Sequence, residues 1–325
     1  MIITRSPLRI SIGGGGTDLS SYYKENEGFL ISAAIDKYVY VTISKPFKPG
    51  IYLKYSKIEN VNSIEEVNHP IIREGLKYFE KNKPQIEITT LADIPSGTGL
   101  GSSSSFTNAL VKGLSHYNKE ILHAEEIARL SCDIEINKLK EPIGKQDQYI
   151  AAYGGITSFT FCKNEDVKVE KLDISEDTMY DLEDNLLLFF TGYTRSAGSI
   201  LKDQKDKSES KNIDMITNLH NVKKMGYRIK NLLELGETSL FGEILNEHWE
   251  NKKKRSGGMS NPIIDKWYNI ALKNGATGGK LVGAGGGGFL LFYANDRNKL
   301  RHCMKNEGLE EVRFNFDYEG TKVIL

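Results

Sequence analysis

Cysteine is scarce in this chain, with three in 325 residues at Cys132, Cys162 and Cys303. They are isolated and odd in number, which argues against a disulfide framework and for a reducing, cytoplasmic setting. No metal-ligand spacing joins them to the six histidines, and His-Glu-x-x-His does not occur. An excess of one charge is missing too, because 43 basic residues face 43 acidic ones. That balance gives no electrostatic footprint for nucleic acid or an anionic membrane. Nothing approaches the roughly 18 consecutive apolar residues of a membrane span, and the segment from Met1 to Pro7 lacks a signal-peptide core. The length allows one large domain or two ordinary ones. A cytoplasmic globular protein acting on a small molecule is expected, and its oligomeric state is not encoded in any visible pattern.

What is present is glycine, in three clusters. The most informative reads Pro95-Ser-Gly-Thr-Gly-Leu-Gly-Ser-Ser-Ser-Ser105. Ile86, Ile88 and Thr90 alternate before it as in a strand, and Phe106, Ala109, Leu110, Gly113 and Leu114 follow at helical spacing. A chain leaving a strand through glycines into a serine-rich first helical turn presents backbone N–H groups and the positive helix end to an anion. No lysine follows Gly101, so this is not a Walker A loop. The glycine spacing 97, 99, 101 is not a dinucleotide fingerprint either. The ordered flanks argue against a flexible linker.

Around this run the pattern predicts strands over 2–12 and 156–161, a long strand pair over 29–44, and helices over 70–82 and 124–139. Pro142 and Gly144 end the second of these helices. Beyond an apolar strand at 186–191 the chain becomes helical, over about 199–207, 213–235 and 240–249, with Thr238 in capping position. Late strands are expected at 279–282 and 289–293, and the polar stretch 202–212 reads as the most exposed segment. Two α+β lobes, 1–185 and 186–325, follow from this change of character.

The second glycine cluster is Arg5-Ser-Pro-Leu-Arg-Ile-Ser-Ile-Gly-Gly-Gly-Gly-Thr-Asp18, and the third runs from Gly278 to Leu291. Together the three clusters resemble the signature motifs of the GHMP family of small-molecule kinases. Pro95 to Ser104 matches the family's Pro-x-x-x-Gly-Leu-x-Ser-Ser-[Ser/Ala] motif, Gly283 to Gly288 its Gly-Ala-Gly-x-Gly-Gly motif, and Ser6-Pro7-Leu8-Arg9 its first. The resemblance implies an α+β, two-lobed GHMP kinase fold. Its N-terminal lobe would be α/β and ribosomal-protein-S5-like, its C-terminal lobe α+β, with the active site in the cleft between them. The form with Gly14-Gly15-Gly16-Thr17-Asp18 departs from galactokinases, which carry Gly-Glu-His-x-Asp there. It is similar to the branch acting on D-glycero-D-manno-heptose 7-phosphate.

The same resemblance implies ATP and Mg²⁺ as partners of a small sugar phosphate. Pro95, Gly97, Gly99, Leu100, Gly101, Ser102, Ser103 and Ser104 would hold the nucleotide, with Ser103 and Glu135 as magnesium ligands. Asp147, in Gly-Lys-Gln-Asp-Gln, would be the catalytic base and Arg9 its partner at the transferring phosphoryl group. Gly14, Gly15, Gly16, Thr17, Asp18, Gly285 and Gly286 would face the acceptor. For the acceptor's own phosphate Arg195, Lys202 and the run Lys252–Arg255 are candidate cations, with Arg195 preferred. The run from Lys252 to Arg255 reads rather as a solvated helix end, and Lys280 could be structural. Bland alternatives stand beside two roles: Glu135 as a solvated helix carboxylate, and Asp18 as the cap of the helix carrying Tyr22 and Tyr23. Competing functions are a fucokinase- or galactokinase-like enzyme on a free sugar, a non-catalytic sugar/ATP sensor, and a nicotinamide enzyme.

Overall fold

The computed structural model describes residues 1–79, 85–192, 198–210, 212–255 and 258–325. Alternation dictates the role of the first strand, β1 (Ile2–Gly13). Leu8, Ile10 and Ile12 point into a core, and the period of two turns Arg9 and Ser11 to the opposite face, where they line a cleft. After the short helix α1 (Ser20–Asn26), β2 (Gly28–Ser44) pairs antiparallel with β1 along nearly its whole length. The strand pair expected over 29–44 is therefore one continuous strand. Its irregularity is a bulge at Asp36 and Lys37, which have no partner opposite Pro7 and Leu8.

The first sheet is completed by β3 (Gly50–Lys54), β4 (Ile58–Val61), β5 (Gln85–Ala92), β6 (Ile156–Phe161), β7 (Val167–Lys171) and β12 (Lys322–Val323). Its path is β12-β1-β2-β5-β3-β4, with β6 on the free half of β2 and β7 beyond it. Only β3 and β5 run parallel. The second sheet has β8 (Leu186–Phe190), β9 (Ala276–Leu281), β10 (Phe289–Ala294) and β11 (Glu310–Glu311) in the antiparallel order β11-β8-β10-β9.

Helices α2 (Pro70–Phe79), α3 (Ser102–Tyr117), α4 (Ala124–Cys132) and α5 (Gln146–Tyr153) cover one face of the first sheet, around Leu30, Ile43, Leu110 and Ile150. The helix expected over 124–139 changes character at Asp133, where a π-helical turn, Asp133–Lys138, follows α4. Such turns recur at functional sites because they re-aim a side chain, and here Glu135 is the one turned into the cleft.

The other face of β1 and β2 shares a core with the second sheet, α6 (Glu176–Asn185), α8 (Ile213–Glu234) and α9 (Phe241–Lys253). Helix α7 (Gly198–Glu209) covers most of the stretch expected to be the most exposed, yet Gln204 and Ser208 are buried where it packs on α1 and α8. Thr238 does not cap α9. It lies in a 3₁₀ turn, Thr238–Leu240, from which the helix continues without a side-chain cap.

Two helices passed over in the sequence, α10 (Pro262–Lys273) and α11 (Arg297–Asn306), shield the outer face of the second sheet. Both carry cap signals: Asn261 accepts from the N–H groups of Ile263 and Ile264, and Asp296 from that of Lys299. Among the described residues no helix is long and apolar enough to cross a membrane.

Candidate active site

Gly97, Gly99 and Gly101 all adopt positive φ, at 78°, 83° and 77°, a conformation that costs other residues about 1 kcal/mol or more. The loop so formed opens α3 with Gly101 as its N-cap and no capping side chain. The N–H groups of the serine turn are thus left to an external acceptor. The loop is held from below: Ser105 Oγ donates to the Pro7 carbonyl at 2.7 Å, and Asn108 Nδ2 to that of Gln148 at 2.7 Å. From the other sheet, Gly283 (φ 75°) meets Gly99 backbone to backbone. A Cβ on Gly283 would lie 2.6 Å from the Gly99 carbonyl oxygen.

Ser103 Oγ donates to Glu135 Oε1 at 2.7 Å, and Gln148 Nε2 to Oε2 at 2.7 Å. Glu135 is 1 % exposed, so it is not a solvated helix carboxylate. Burial raises its pKa above the ordinary carboxylate value against the pull of the Ser103, Gln148 and Ser104 hydrogen bonds. Among the described residues no lysine or arginine pairs with it. A buried carboxylate without a cation, beside a hydroxyl and an anion cradle, has the donor set of a magnesium site whose remaining ligands are phosphate oxygens and water. No cluster of three or more His, Cys, Asp or Glu groups suited to a metal occurs among the described residues.

Asp147 stands in the first turn of α5 and receives Arg9 side-on, Nε to Oδ1 at 2.8 Å and Nη2 to Oδ2 at 2.7 Å. Arg9 Nη1 also donates to the Gly99 carbonyl, tying the pair to the cradle. Asp18 accepts from the backbone N–H of Gly16 at 3.1 Å and of Gln146 at 3.0 Å. It therefore stabilises the start of α5 rather than α1, whose N-cap is Leu19. Burial raises the Asp18 carboxyl, with the Gln146 N–H opposing and the Asp147 charge adding to the rise.

One cavity of about 340 Å³ collects Arg9, Gly15, Gly16, Asp18, Gly97, Gly99, Gly101, Ser102, Ser103, Ser104, Glu135 and Asp147. Other expected residues do not line it. Pro95 is exposed at the loop's start, and Leu100 is buried in the core. Gly14 and Thr17 sit beneath the second glycine loop, where Thr17 Oγ1 donates to the carbonyls of Gly14 and Phe29. Gly285 and Gly286 pack on Met259, leaving Gly283 and Ala284 at the wall. Arg195 lies outside the described residues.

The run Lys252–Arg255 is a solvated helix end only at Lys253 and Lys254, which face outward. Lys252 and Arg255 are buried at the cavity, with Lys280 and His248. The positions 248, 252 and 255 follow helical spacing, which is the signal that could have found them. Gly242 and Gly278 allow this by letting α9 touch β9: a Cβ on Gly278 would lie 1.8 Å from the Gly242 carbonyl oxygen.

Residues 70–155 match the family description "GHMP kinases N terminal domain" and residues 229–310 "GHMP kinases C terminal". D-glycero-alpha-D-manno-heptose 7-phosphate kinase of Campylobacter jejuni is 31% identical over 99% of this chain and 98% of its own. The chain belongs to the GHMP kinases. It is thus a phosphotransferase with an alcohol group as acceptor, and its two-sheet α/β structure is the family's fold. A crystal structure described as a D-glycero-D-manno-heptose 1-phosphate kinase from Bacteriodes thetaiotaomicron superposes with a TM-score of 0.83 at 26% identity, covering 100% of this kinase and 99% of that chain. The bifunctional fucokinase/GDP-fucose pyrophosphorylase of Arabidopsis thaliana is 28% identical over 94% of this kinase and 31% of its own length.

Proposed function

We propose that this kinase transfers the γ-phosphoryl group of ATP to the anomeric C1 hydroxyl of D-glycero-D-manno-heptose 7-phosphate. The product is the 1,7-bisphosphate, made in the cytoplasm for nucleotide-heptose and surface-polysaccharide synthesis. The lobes 1–185 and 186–325 supply the two walls. The observation that carries the reading is the Arg9–Asp147 pair, which joins the Gly97–Ser104 cradle to the Asp18 end of the same cavity.

In that arrangement the cradle's backbone N–H groups and serines hold the triphosphate. Ser103 and Glu135 would hold Mg²⁺, which when bound offsets the charge of the phosphate oxygens. Asp147 accepts the proton of the sugar hydroxyl. The hydroxyl oxygen forms a bond to the γ-phosphorus as the bond to the ADP oxygen breaks, and ADP leaves with that electron pair. Arg9 holds Asp147 in one rotamer through two hydrogen bonds, and its guanidinium faces the charge that spreads over the transferring group. Asp18 orients sugar hydroxyls. Similarity to a fucokinase supports a second reading on an unphosphorylated sugar, but the cations at the Asp18 end favour a phosphorylated acceptor.

An ADP-release screen over free and phosphorylated hexoses and heptoses tests this. Turnover with heptose 7-phosphate and little with free sugars is expected; robust turnover of free galactose or fucose alone would overturn it.

A further inference from the structure

Lys252, Arg255 and Lys280 converge on one wall of the cavity, each less than a tenth exposed, and none has a carboxylate partner within salt-bridge distance among the described residues. Burying a cation without a counter-ion is costly, and an apolar wall would make a more stable protein. The local hydrogen bonds leave much of this charge unspent. Arg255 Nε donates to Asn218 Oδ1 at 3.0 Å and Nη1 to the Gly15 carbonyl at 2.9 Å, but Nη2 is buried with no partner. Lys280 Nζ makes one long bond, 3.2 Å to the Ile12 carbonyl, leaving two of its donors free. Lys252 Nζ is held by the carbonyls of Leu281 and Gly283. Both ring nitrogens of His248, 2 % exposed, also lack a partner.

From these donors we infer that Arg255 and Lys280, backed by Lys252 and His248, form a subsite for the acceptor's own phosphate monoester, separate from the triphosphate cradle. The inference rests on the proposed reading of the cavity as a sugar-phosphate kinase site. Its place follows from what Arg255 touches. The guanidinium lies over Gly15 and Gly16 and interacts with Asp18, at the acceptor end, whereas Ser103 and Glu135 mark the nucleotide end.

The charges match as well. Three cations against Asp18 leave two positive charges, and a phosphate monoester carries about −1.5 to −2 at neutral pH. Burial, then the neighbouring Arg255 and Arg9 charges, pushes Lys280 down to about 7, and Lys252 is driven well below its usual range. Burial and mutual repulsion thus disfavour the charged forms in the empty wall, and an incoming dianion offsets that cost. Planar Arg255 suits a phosphate edge and Lys280 acts as a point charge behind it. A neutral sugar would leave these donors unmatched, which is how the subsite would select a phosphorylated acceptor.

The test uses the full chain with its cradle filled by a non-hydrolysable ATP analogue and Mg²⁺. Calorimetry then measures binding of heptose 7-phosphate, mannose 6-phosphate and inorganic phosphate to wild type, Arg255→Gln and Lys280→Met. Each substitution is expected to weaken both sugar phosphates by about 10- to 100-fold, the range for a lost charged hydrogen bond. Affinity for the ATP analogue should stay near the wild-type value. Equal weakening of analogue and sugar phosphate places the cluster on the triphosphate instead and overturns the subsite. So does undiminished sugar-phosphate binding in both variants. The proposed substrate is judged separately. If the variants lose mannose 6-phosphate but the wild type does not turn over heptose 7-phosphate, the subsite stands and the sugar assignment falls. If heptose 7-phosphate is turned over with an unchanged KM in both variants, the reverse holds.

Discussion

Arg9 and Asp147 lie 138 residues apart in sequence and meet through two parallel hydrogen bonds of 2.8 and 2.7 Å. Asp147 is thereby fixed in one rotamer with its oxygens toward the cradle, since Gly101 offers no side chain between them. A Cβ there would touch Arg9 Cγ at 3.2 Å and Asp147 Oδ2 at 3.3 Å. Replacing Asp147 with Asn removes the proton acceptor and turns one attractive contact with Arg9 into a clash of donors. We expect kcat to fall by about 10²- to 10⁴-fold with ATP affinity nearly unchanged. Steady-state kinetics decide, and near-normal turnover would remove Asp147 from the base role.

Glu135→Gln keeps the shape of the buried side chain but removes its charge. The Mg²⁺ concentration for half-maximal activity should rise by about 10-fold or more, and Gln148→Leu, which frees one Glu135 oxygen, should raise it less. A Mg²⁺ titration at saturating nucleotide measures both. An unchanged requirement in Glu135→Gln would mean that the carboxylate serves only to anchor Ser103.

Lys280 gives a pH signature in stability. Its folded pKa is depressed from 10.5 to about 7, by burial first and then by Arg255 and Arg9. Between those values the unfolded chain binds a proton that the folded chain does not, so stability falls as pH drops from 10.5 toward 7. Lys280→Met removes this term. The thermal midpoint of the ligand-free variant should vary less across that window than that of wild type, and parallel profiles would contradict the depressed pKa.

Gly99→Ala would place a methyl group 2.8 Å from the Val282 carbonyl oxygen at a φ of 83°. Destabilisation of about 1–3 kcal/mol is expected, with weaker nucleotide binding because the cradle is pushed off the second lobe. Chemical denaturation and ATP titration together check it; a loss of stability with intact ATP affinity would separate loop packing from the cradle's function.

Much of this site was legible because its chemistry is local in sequence. Glycines at 97, 99 and 101 between a strand and a helix point to a loop of positive φ, Asp147 sits in a short matching motif, and Glu135 stands at a matching spacing from it. What stayed hidden was long-range. Lys252 and Arg255 look like any basic helix end until α9 is laid on β9 through Gly242 and Gly278. Gly285 and Thr17 belong to motifs whose other members reach the cavity, and only three-dimensional placement separates those that line it from those that support it. The strand pair expected over 29–44 is one strand with a bulge at Asp36 and Lys37, a feature that depends on pairing with β1. The π-helical turn leaves no mark in an apolar pattern that runs on through Ile134.

The apolar core shared by the two sheets has a consequence for selectivity. Leu8, Ile10 and Ile12 pack in one cluster with Leu188, Phe289 and Leu291, so one continuous apolar core lies behind the cleft. Trimming Leu291 is therefore expected to reach the acceptor only through repacking of this shared core, read as a change in KM for the sugar set beside the KM for ATP.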